Sequence, residues 1–436
     1  MESFIAASNA DGAAEVQIPE INLTAFDQQA PYVTRRDQTS TVCPVPVLKP
    51  NTTRTAKVTV TDANFIDLSS LYFTFKIRNN DGTNALRPLS AIPHCWWRRM
   101  IWKLNGTVLE DVAQLSRVEE QISRFVSTNK RRNYGDVGSG WETLDDTGST
   151  SLPKVIGANS VKKVSWRPLS SGWLNCGKYC PLLGGSAGGL SCEIELSDFT
   201  DACLNATGLS TDWQIEEFEL HVDSVTMTTE LASAMADQLI NDSILIPFQS
   251  VSCDVQYLPN AANNVVLSLS KQVSRLNTVI VSFVDNIPAT APTNDAAGIH
   301  SKLMNRFYLS GANKETVASF LQLNNMRYPQ HDTVGAQQHL IKLQKGLGIY
   351  NSVSHSVAFD QDAYGGTDTG ATDARYFCIM TDTEMVPHVQ ASGQPVLGGG
   401  VIQFTGKNLG APTQAFITTT FDAVCEIRNQ GCSLYI

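Results

Sequence analysis

The segment Leu71-Tyr72-Phe73-Thr74-Phe75-Lys76-Ile77-Arg78 sets Leu71, Phe73, Phe75 and Ile77 on alternate positions, with Thr74, Lys76 and Arg78 between them. A period of two puts the apolar side chains on one face of a strand and the polar ones on the other, a pattern that a helix cannot bury. The turn residues Asn79-Asn80-Asp81-Gly82 follow directly, as they should after a strand that ends at the surface. Lys57-Val58-Thr59-Val60 alternates in the same way, and Val265–Leu269, Val279–Val284 and Phe416–Ile427 are further β runs. The chain therefore has to bury sheets.

The β signals come in a repeated order. In the first half, Arg99–Leu104 reads as a strand ending in Asn105-Gly106, a dipeptide suited to a tight turn with positive φ. Val112, Leu115, Val118, Ile122 and Phe125 then follow at helical spacing, which predicts a helix over 111–127 with Asp111 and Gln114 in its capping box. A Gly-rich polar stretch near 133–160 precedes strands at Leu190–Leu196 and Trp213–Val225, and a short helix is expected over 229–240. In the second half, Phe320–Leu323 ends in Asn324-Asn325, residues 333–345 read as helical, and Gly-rich loops near 362–370 and 394–400 precede Val401–Phe404 and Phe416–Ile427. Leu104-Asn105 corresponds to Leu323-Asn324, and Phe73 to Val279, although direct identity between the halves is poor. This repetition predicts an all-β chain of two tandem sandwiches of about 200 residues each, larger than an immunoglobulin-like unit. The expected division is an N-terminal arm over 1–40, a first unit over 41–228, a linker helix over 229–245 and a second unit over 246–436. The arm is polar and interrupted by Gly12, Pro19 and Pro31, so it is expected to order only against a neighbour.

Composition narrows the function. Only 17% of the 436 residues are charged and 42% are hydrophobic, the reverse of a disordered chain. So few charges suggest a surface covered largely by subunit contacts. The net charge of −10 opposes a duplex-binding module, which would carry a basic footprint. The one dense basic run, Lys130-Arg131-Arg132, reads as a solvated helix end. Met1-Glu2-Ser3-Phe4-Ile5 lacks the basic and then apolar regions of a secretory signal. No stretch reaches the roughly 18–20 apolar residues of a membrane helix. Synthesis in the cytoplasm or nucleus is the expectation.

Motifs for chemistry are weak. Gly184-Gly185-Ser186-Ala187-Gly188 matches the nucleophile elbow in letters, but that motif needs a helix after it. Here Leu190–Leu196 follows, which is β, so the segment reads as a Gly-rich loop. Asp360-Gln361-Asp362 with Gly365, Gly366 and Asp368 hints at a calcium loop but lacks a third acidic position and the bidentate glutamate. The seven histidines, at 94, 221, 300, 331, 339, 355 and 388, form no H-x-H or H-E-x-x-H pair. Ten cysteines are scattered, with Cys176 and Cys180 the only close spacing that resembles a metal knuckle and no histidine near them in sequence. Cys425 falls in phase with Phe421, Ala423 and Ile427 on one strand face, so the cysteines are expected to be reduced and structural. Trp96-Trp97-Arg98-Arg99 could stack bases but reads better as interface or core. No catalytic, cofactor-binding or metal residue is assigned, and no cofactor.

Several segments resemble major capsid proteins of the double jelly-roll lineage, which includes adenovirus hexon and the capsid proteins of virophages, Polinton-like viruses and nucleocytoplasmic large DNA viruses. Phe65-Ile66-Asp67-Leu68-Ser69-Ser70-Leu71-Tyr72-Phe73 is similar to an early strand of that family, and Ile101-Trp102-Lys103-Leu104-Asn105-Gly106-Thr107 to its strand-turn. Trp173-Leu174, Pro181-Leu182-Leu183 and Cys192-Glu193-Ile194-Glu195-Leu196 resemble the segment closing its first jelly roll. In the second half the likeness lies in Leu276–Asn286 and in Leu321-Gln322-Leu323-Asn324-Asn325 with Pro329. Asn325 stands where the family has glycine, and the first-half helix lacks the family's tyrosine-rich lead-in. The matches are short but collinear over about 60–435. The resemblance implies two tandem eight-stranded jelly rolls with short helices in inter-strand loops, and a structural protein, not an enzyme. It further implies homotrimers that tile an icosahedral shell around double-stranded DNA. The partners would be neighbouring capsomers, penton and minor or cement capsid proteins and, in some members, an internal membrane, without sequence-specific nucleic-acid binding. Such a chain is located in the virion. The alternatives are a bicupin-like enzyme, which would need a metal cluster the histidine spacing does not show, and a surface-binding sandwich protein, which would need a signal peptide and paired cysteines.

Overall fold

The structure is a computed structural model that describes residues 32–436 except 63, 91–92, 126–154, 183–188, 206–207, 260–262, 286–306, 308, 353–356, 358, 360–363, 367–375, 385–392, 397–399 and 430. Among the described residues the first half contributes twelve strands: β1 (Val33–Val42), β2 (Val47–Leu48), β3 (Thr55–Val60), β4 (Phe65–Asn79), β5 (Ala85–Leu86), β6 (Trp97–Leu104), β7 (Thr107–Ala113), β8 (Val161–Trp166), β9 (Tyr179–Pro181), β10 (Leu190–Leu196), β11 (Leu209–Ser210) and β12 (Trp213–Met227). Helix α1 (Leu115–Phe125) lies between β7 and β8. Helix α2 (Thr229–Asn241) leads to the second half. There the strands are β13 (Ile244–Tyr257), β14 (Val265–Leu269), β15 (Val273–Asp285), β16 (Ala318–Leu323), β17 (Met326–Val334), β18 (Cys378–Asp382), β19 (Gln394–Val396), β20 (Ile402–Lys407), β21 (Pro412–Arg428) and β22 (Gly431–Tyr435), with helix α3 (Ala336–Gly346) between β17 and β18.

Each half forms two facing sheets. In the first half the strand orders are β1-β12-β4-β8 and β3-β10-β6-β7; in the second they are β13-β21-β15-β18 and β14-β20-β16-β17. Ranked among these eight strands of its own half, the order is identical, 1-8-3-6 in one sheet and 2-7-4-5 in the other. These eight strands switch sheets at every step except the β6–β7 and β16–β17 hairpins, the arrangement of a jelly roll. Both halves also place a helix after the fifth of these eight strands, β7 in the first and β17 in the second.

The alternation of apolar and polar residues along β4 explains the first core. Leu71, Phe73, Phe75 and Ile77 of β4 are all buried, and Phe73 stacks on Phe218 at 5.3 Å and on Trp166 at 5.7 Å. Across the sandwich Phe75 meets Trp97 edge to face at 5.1 Å, a favourable aromatic geometry. In the second half Val279, Val281 and Phe283 of β15 face Phe404, Leu321 and Leu267 in one cluster.

Four sequence expectations shift. The helix predicted over 111–127 begins at Leu115, because residues 107–113 return as β7 against β6, with Leu104 opposite Thr107. Asn105 (φ 50°) and Gly106 (φ 85°) both take left-handed backbone, which is what a two-residue hairpin asks for. A hairpin needs a second strand, so Asp111 sits on β7 and ion-pairs with Arg99 rather than capping a helix. Gln114 instead accepts the amides of Arg117 and Val118 through its carbonyl. Likewise residues 326–334 form β17, and the helix predicted over 333–345 runs Ala336–Gly346. The boundaries expected at 40 and 245 fall within β1 and β13. Residues 1–31 and Lys130-Arg131-Arg132 lie outside the described residues.

The Gly106 position yields a direct test of the hairpin. A Cβ there meets nothing within 4 Å, so Gly106→Ala should cost only the left-handed backbone penalty, roughly 1–2 kcal/mol. Denaturant unfolding measures it, and a neutral effect would mean that the turn adopts another geometry.

Candidate functional site at the junction of the two sandwiches

An extended polar cluster is buried where the two halves meet. It is built on β7, on α1 and on the Leu169–Trp173 loop after β8, against β13 and β21 of the second half. Glu110 of β7 is 1% exposed. Its Oε2 accepts the Ser171 hydroxyl at 2.5 Å, and its Oε1 accepts the Gly172 amide at 3.0 Å and the Val251 amide of β13 at 3.4 Å. One carboxyl thus holds backbone from both sandwiches. Burial pushes its pKa up to about 7 despite these donors.

Gly172 is required at this crossing. A Cβ would lie 1.5 Å from the carbonyl oxygen of Gln249, so the loop backbone packs directly on β13. Next to it Trp173 meets Phe248 edge to face at 5.3 Å.

Helix α1 makes the second tie. Glu119 accepts the Leu169 amide at 3.0 Å and the Ser170 amide at 2.6 Å, and burial raises its carboxyl above the usual range. Glu120 accepts Arg124 Nε at 2.9 Å, the Ser90 hydroxyl at 2.6 Å and lies 2.9 Å from His94 Nε2. These contacts satisfy carboxylates that burial would otherwise penalise heavily. The stripe of Arg117, Gln121 and Arg124, spaced to share one helix face, turns to the second half. Arg117 lies over the Phe416 ring at 5.6 Å, Gln121 Oε1 accepts the Thr418 hydroxyl at 3.1 Å, and Arg124 lies over Tyr376 at 4.7 Å.

The residues nominated from sequence are distributed differently. Trp96 and Trp97 are fully buried, with Trp96 edge to face on Trp213 at 4.8 Å, while Arg98 and Arg99 pair with Asp198 and Asp111. That arrangement is core and surface ion pairing, with no aromatic face left for a base. The Gly184–Gly188 segment and Asp360, Asp362 and Asp368 lie outside the described residues, as do His300, His355 and His388. His339 is buried on α3 beside Ser319 at 2.8 Å, and burial lowers its pKa to about 4. All ten cysteines are free thiols, and Cys176 and Cys180 lie near Cys425 and Cys432 rather than standing alone. Among the described residues no group of three or more His, Cys, Asp or Glu side chains is arranged to hold a metal ion, and no helix is long and apolar enough to cross a membrane. Glu110, Glu119 and Glu120 escaped sequence reading because an isolated glutamate carries no signal of burial.

No protein-family model and no curated protein sequence matches the chain. Solved structures do. A chain of the PBCV-1 virus capsid aligns with a TM-score of 0.57 at 10% identity, covering 94% of this chain and 99% of its own. The Faustovirus major capsid protein aligns at 0.53 and 10% identity, covering 91% of each chain. The mavirus major capsid protein aligns at 0.50 and 8% identity, covering 98% of this chain and 95% of its own. With the strand order described above, these alignments establish the fold as a double jelly roll, the fold those capsid proteins share.

The raised Glu110 pKa has a defined sign. The unfolded carboxyl titrates near 4.5 and the folded one near 7, so this group's contribution is fully present below about 4.5 and is lost as pH rises to 7. The loss is on the order of 3 kcal/mol. Glu110→Gln removes the titration while keeping an acceptor for the amides. The stability of the variant relative to the parent should therefore rise between pH 4.5 and 7 in denaturant titrations. A difference independent of pH would show that Glu110 keeps its ordinary pKa in the folded chain.

Proposed function

We propose that the chain is a viral major capsid protein whose trimers form pseudo-hexagonal capsomers of an icosahedral shell around double-stranded DNA. The observation that carries this reading is the tandem fold: two jelly rolls with the same strand order, joined rigidly by a buried junction, and matched over nearly the whole chain by capsid proteins. A structural role also accounts for the low charge content, since much of the surface would be covered by like subunits. The reading gives the chain no catalytic function.

The two helices support a closed ring. Counted from the first residue of each helix, Arg117 and Arg124 of α1 correspond to Gln338 and Lys345 of α3. The α1 stripe is covered by the second half, whereas Gln338 and Lys345 are exposed and Ile341 beside them is 41% exposed. A second half that offers to its neighbour the surface that α1 offers inside the chain would repeat a heterologous contact around a ring, and three copies of two units would close it. The wider partners on this reading are neighbouring capsomers, penton and minor or cement proteins, and an internal membrane where one exists, with no sequence-specific contact to nucleic acid. The chain would be made in the host cytoplasm or nucleus and end in the virion. Residues 1–31 would serve assembly at the inner side of the shell.

Light scattering on the purified protein should give close to three times 47.4 kDa, and electron microscopy should show pseudo-hexagonal particles. A stable monomer at micromolar concentration would overturn the trimer. Deleting residues 1–31, which leaves β1 whole, should keep the trimer and its melting temperature while impairing shell formation. Normal assembly of the truncated protein would remove the arm from that role.

A further inference from the structure

The chain ends in a hairpin that carries two cysteines. β22 pairs antiparallel with β21, with Ile427 opposite Cys432 and Cys425 opposite Leu434. Residues directly opposite share a face, as do residues two apart on one strand, so Cys425 and Cys432 point to the same side as diagonal neighbours. Their sulfurs are 3.1 Å apart, about 1 Å beyond the ~2.05 Å of a disulfide bond. Cys425 is fully buried, whereas Cys432 is partly exposed. The hairpin is also part of the junction: the Thr107 hydroxyl of β7 donates to the Cys432 carbonyl at 2.9 Å, and Cys432 and Leu434 pack on the first core.

We propose that Cys425 and Cys432 form a redox-active pair that closes to a disulfide by exchange with a low-molecular-weight disulfide such as oxidised glutathione, fastening β22 to β21 at the junction. The Cys432 thiolate attacks one sulfur of the small disulfide, forming a mixed disulfide and releasing one small thiolate. Cys425, losing its proton to solvent, then attacks the Cys432 sulfur and releases the second. The protein gives up two protons and two electrons, and the small disulfide becomes two thiols. The asymmetry of the pair suits this order. The contact between the two thiols lowers the Cys432 thiol and, with burial, raises Cys425. The accessible sulfur is thus the better nucleophile, and the buried one lies behind it as the resolving thiol.

The sequence supplies a specific readout. Trypsin cuts after Lys407 and Arg428, so Cys425 and Cys432 fall on separate peptides, 408–428 and 429–436, each with a single cysteine. After folded protein is incubated with oxidised glutathione and its remaining thiols are alkylated, these two peptides should be found joined. The count of free thiols in the denatured protein should fall from ten to eight, and a reductant should restore ten. Cys432→Ser, at a partly exposed position, should abolish the loss, and Cys176→Ser with Cys180→Ser should leave it intact. Ten thiols remaining in oxidised parent protein would overturn the proposal. So would peptide 429–436 joined to glutathione alone or to a peptide carrying Cys176 or Cys180. The parent peptide map decides the matter even if a variant fails to fold.

Discussion

A buried carboxyl that takes amides from two sandwiches fixes the geometry of the whole chain. Glu110 lies on a strand of the first half, and its acceptors are filled by a loop of that half and by Val251 of the second. Apolar packing alone would let two sandwiches slide or rotate against each other, because dispersion contacts carry little directional preference. Directional hydrogen bonds to a group that cannot be left unsatisfied remove that freedom. Gly172 tightens the same point by letting its loop pack on the Gln249 carbonyl, where any Cβ would collide. The cost is an acid held in the dark at a raised pKa. The gain is a single relative orientation.

The α1 helix shows how the same sequence pattern can be read in two ways. Its apolar positions, Leu115, Val118 and Ile122, face the first core as their spacing requires. Its polar stripe, Arg117, Gln121 and Arg124, would face water in an isolated sandwich. Here it faces the second half, where the guanidinium groups lie over aromatic rings and Gln121 accepts from Thr418. A helix with both faces covered acts as a wedge between units. The corresponding helix α3 buries only Ala336, His339 and Leu343, so equal positions in the two halves do different work.

What the sequence makes legible follows from how each strand is buried. β4, β12 and β21 sit inside their sheets with one face in the core, so alternation marks them clearly. Asn105-Gly106 announces a hairpin, yet the returning strand Thr107–Ala113 mixes Glu110 and Asp111 with apolar residues and resembles the start of a helix. β1 is harder still. Its residues Val33–Val42 are mostly exposed, and it sits at a sheet edge on β12, held by backbone pairing and by ion pairs such as Arg36 with Asp67 and Asp223. A polar edge strand carries no hydrophobic period, so only its partner identifies it. β8 and β18 are short and follow long intervening segments, which leaves nothing local to mark them. The junction is the least legible part. Glu110, Glu119 and Glu120 look like surface residues until the second half covers them, and Cys432 meets Cys425 only because a hairpin near the C-terminus folds back.

The sequence separation of these contacts also orders the folding of the chain. The Glu110 partner Val251 lies 141 residues downstream, the Gln121 partner Thr418 lies 297 downstream, and Thr107 waits for Cys432, 325 residues away. Until those segments exist, the first sandwich carries a buried-to-be carboxyl, a half-satisfied helix face and an open edge. Such groups keep water until partners arrive, so the first half cannot reach its final packing alone. The two jelly rolls are therefore separate in topology but joined in energy. Each supplies its own hydrophobic core, and neither completes its hydrogen bonding without the other. A chain built this way adds one rigid double unit to any larger assembly, not two loosely tethered ones.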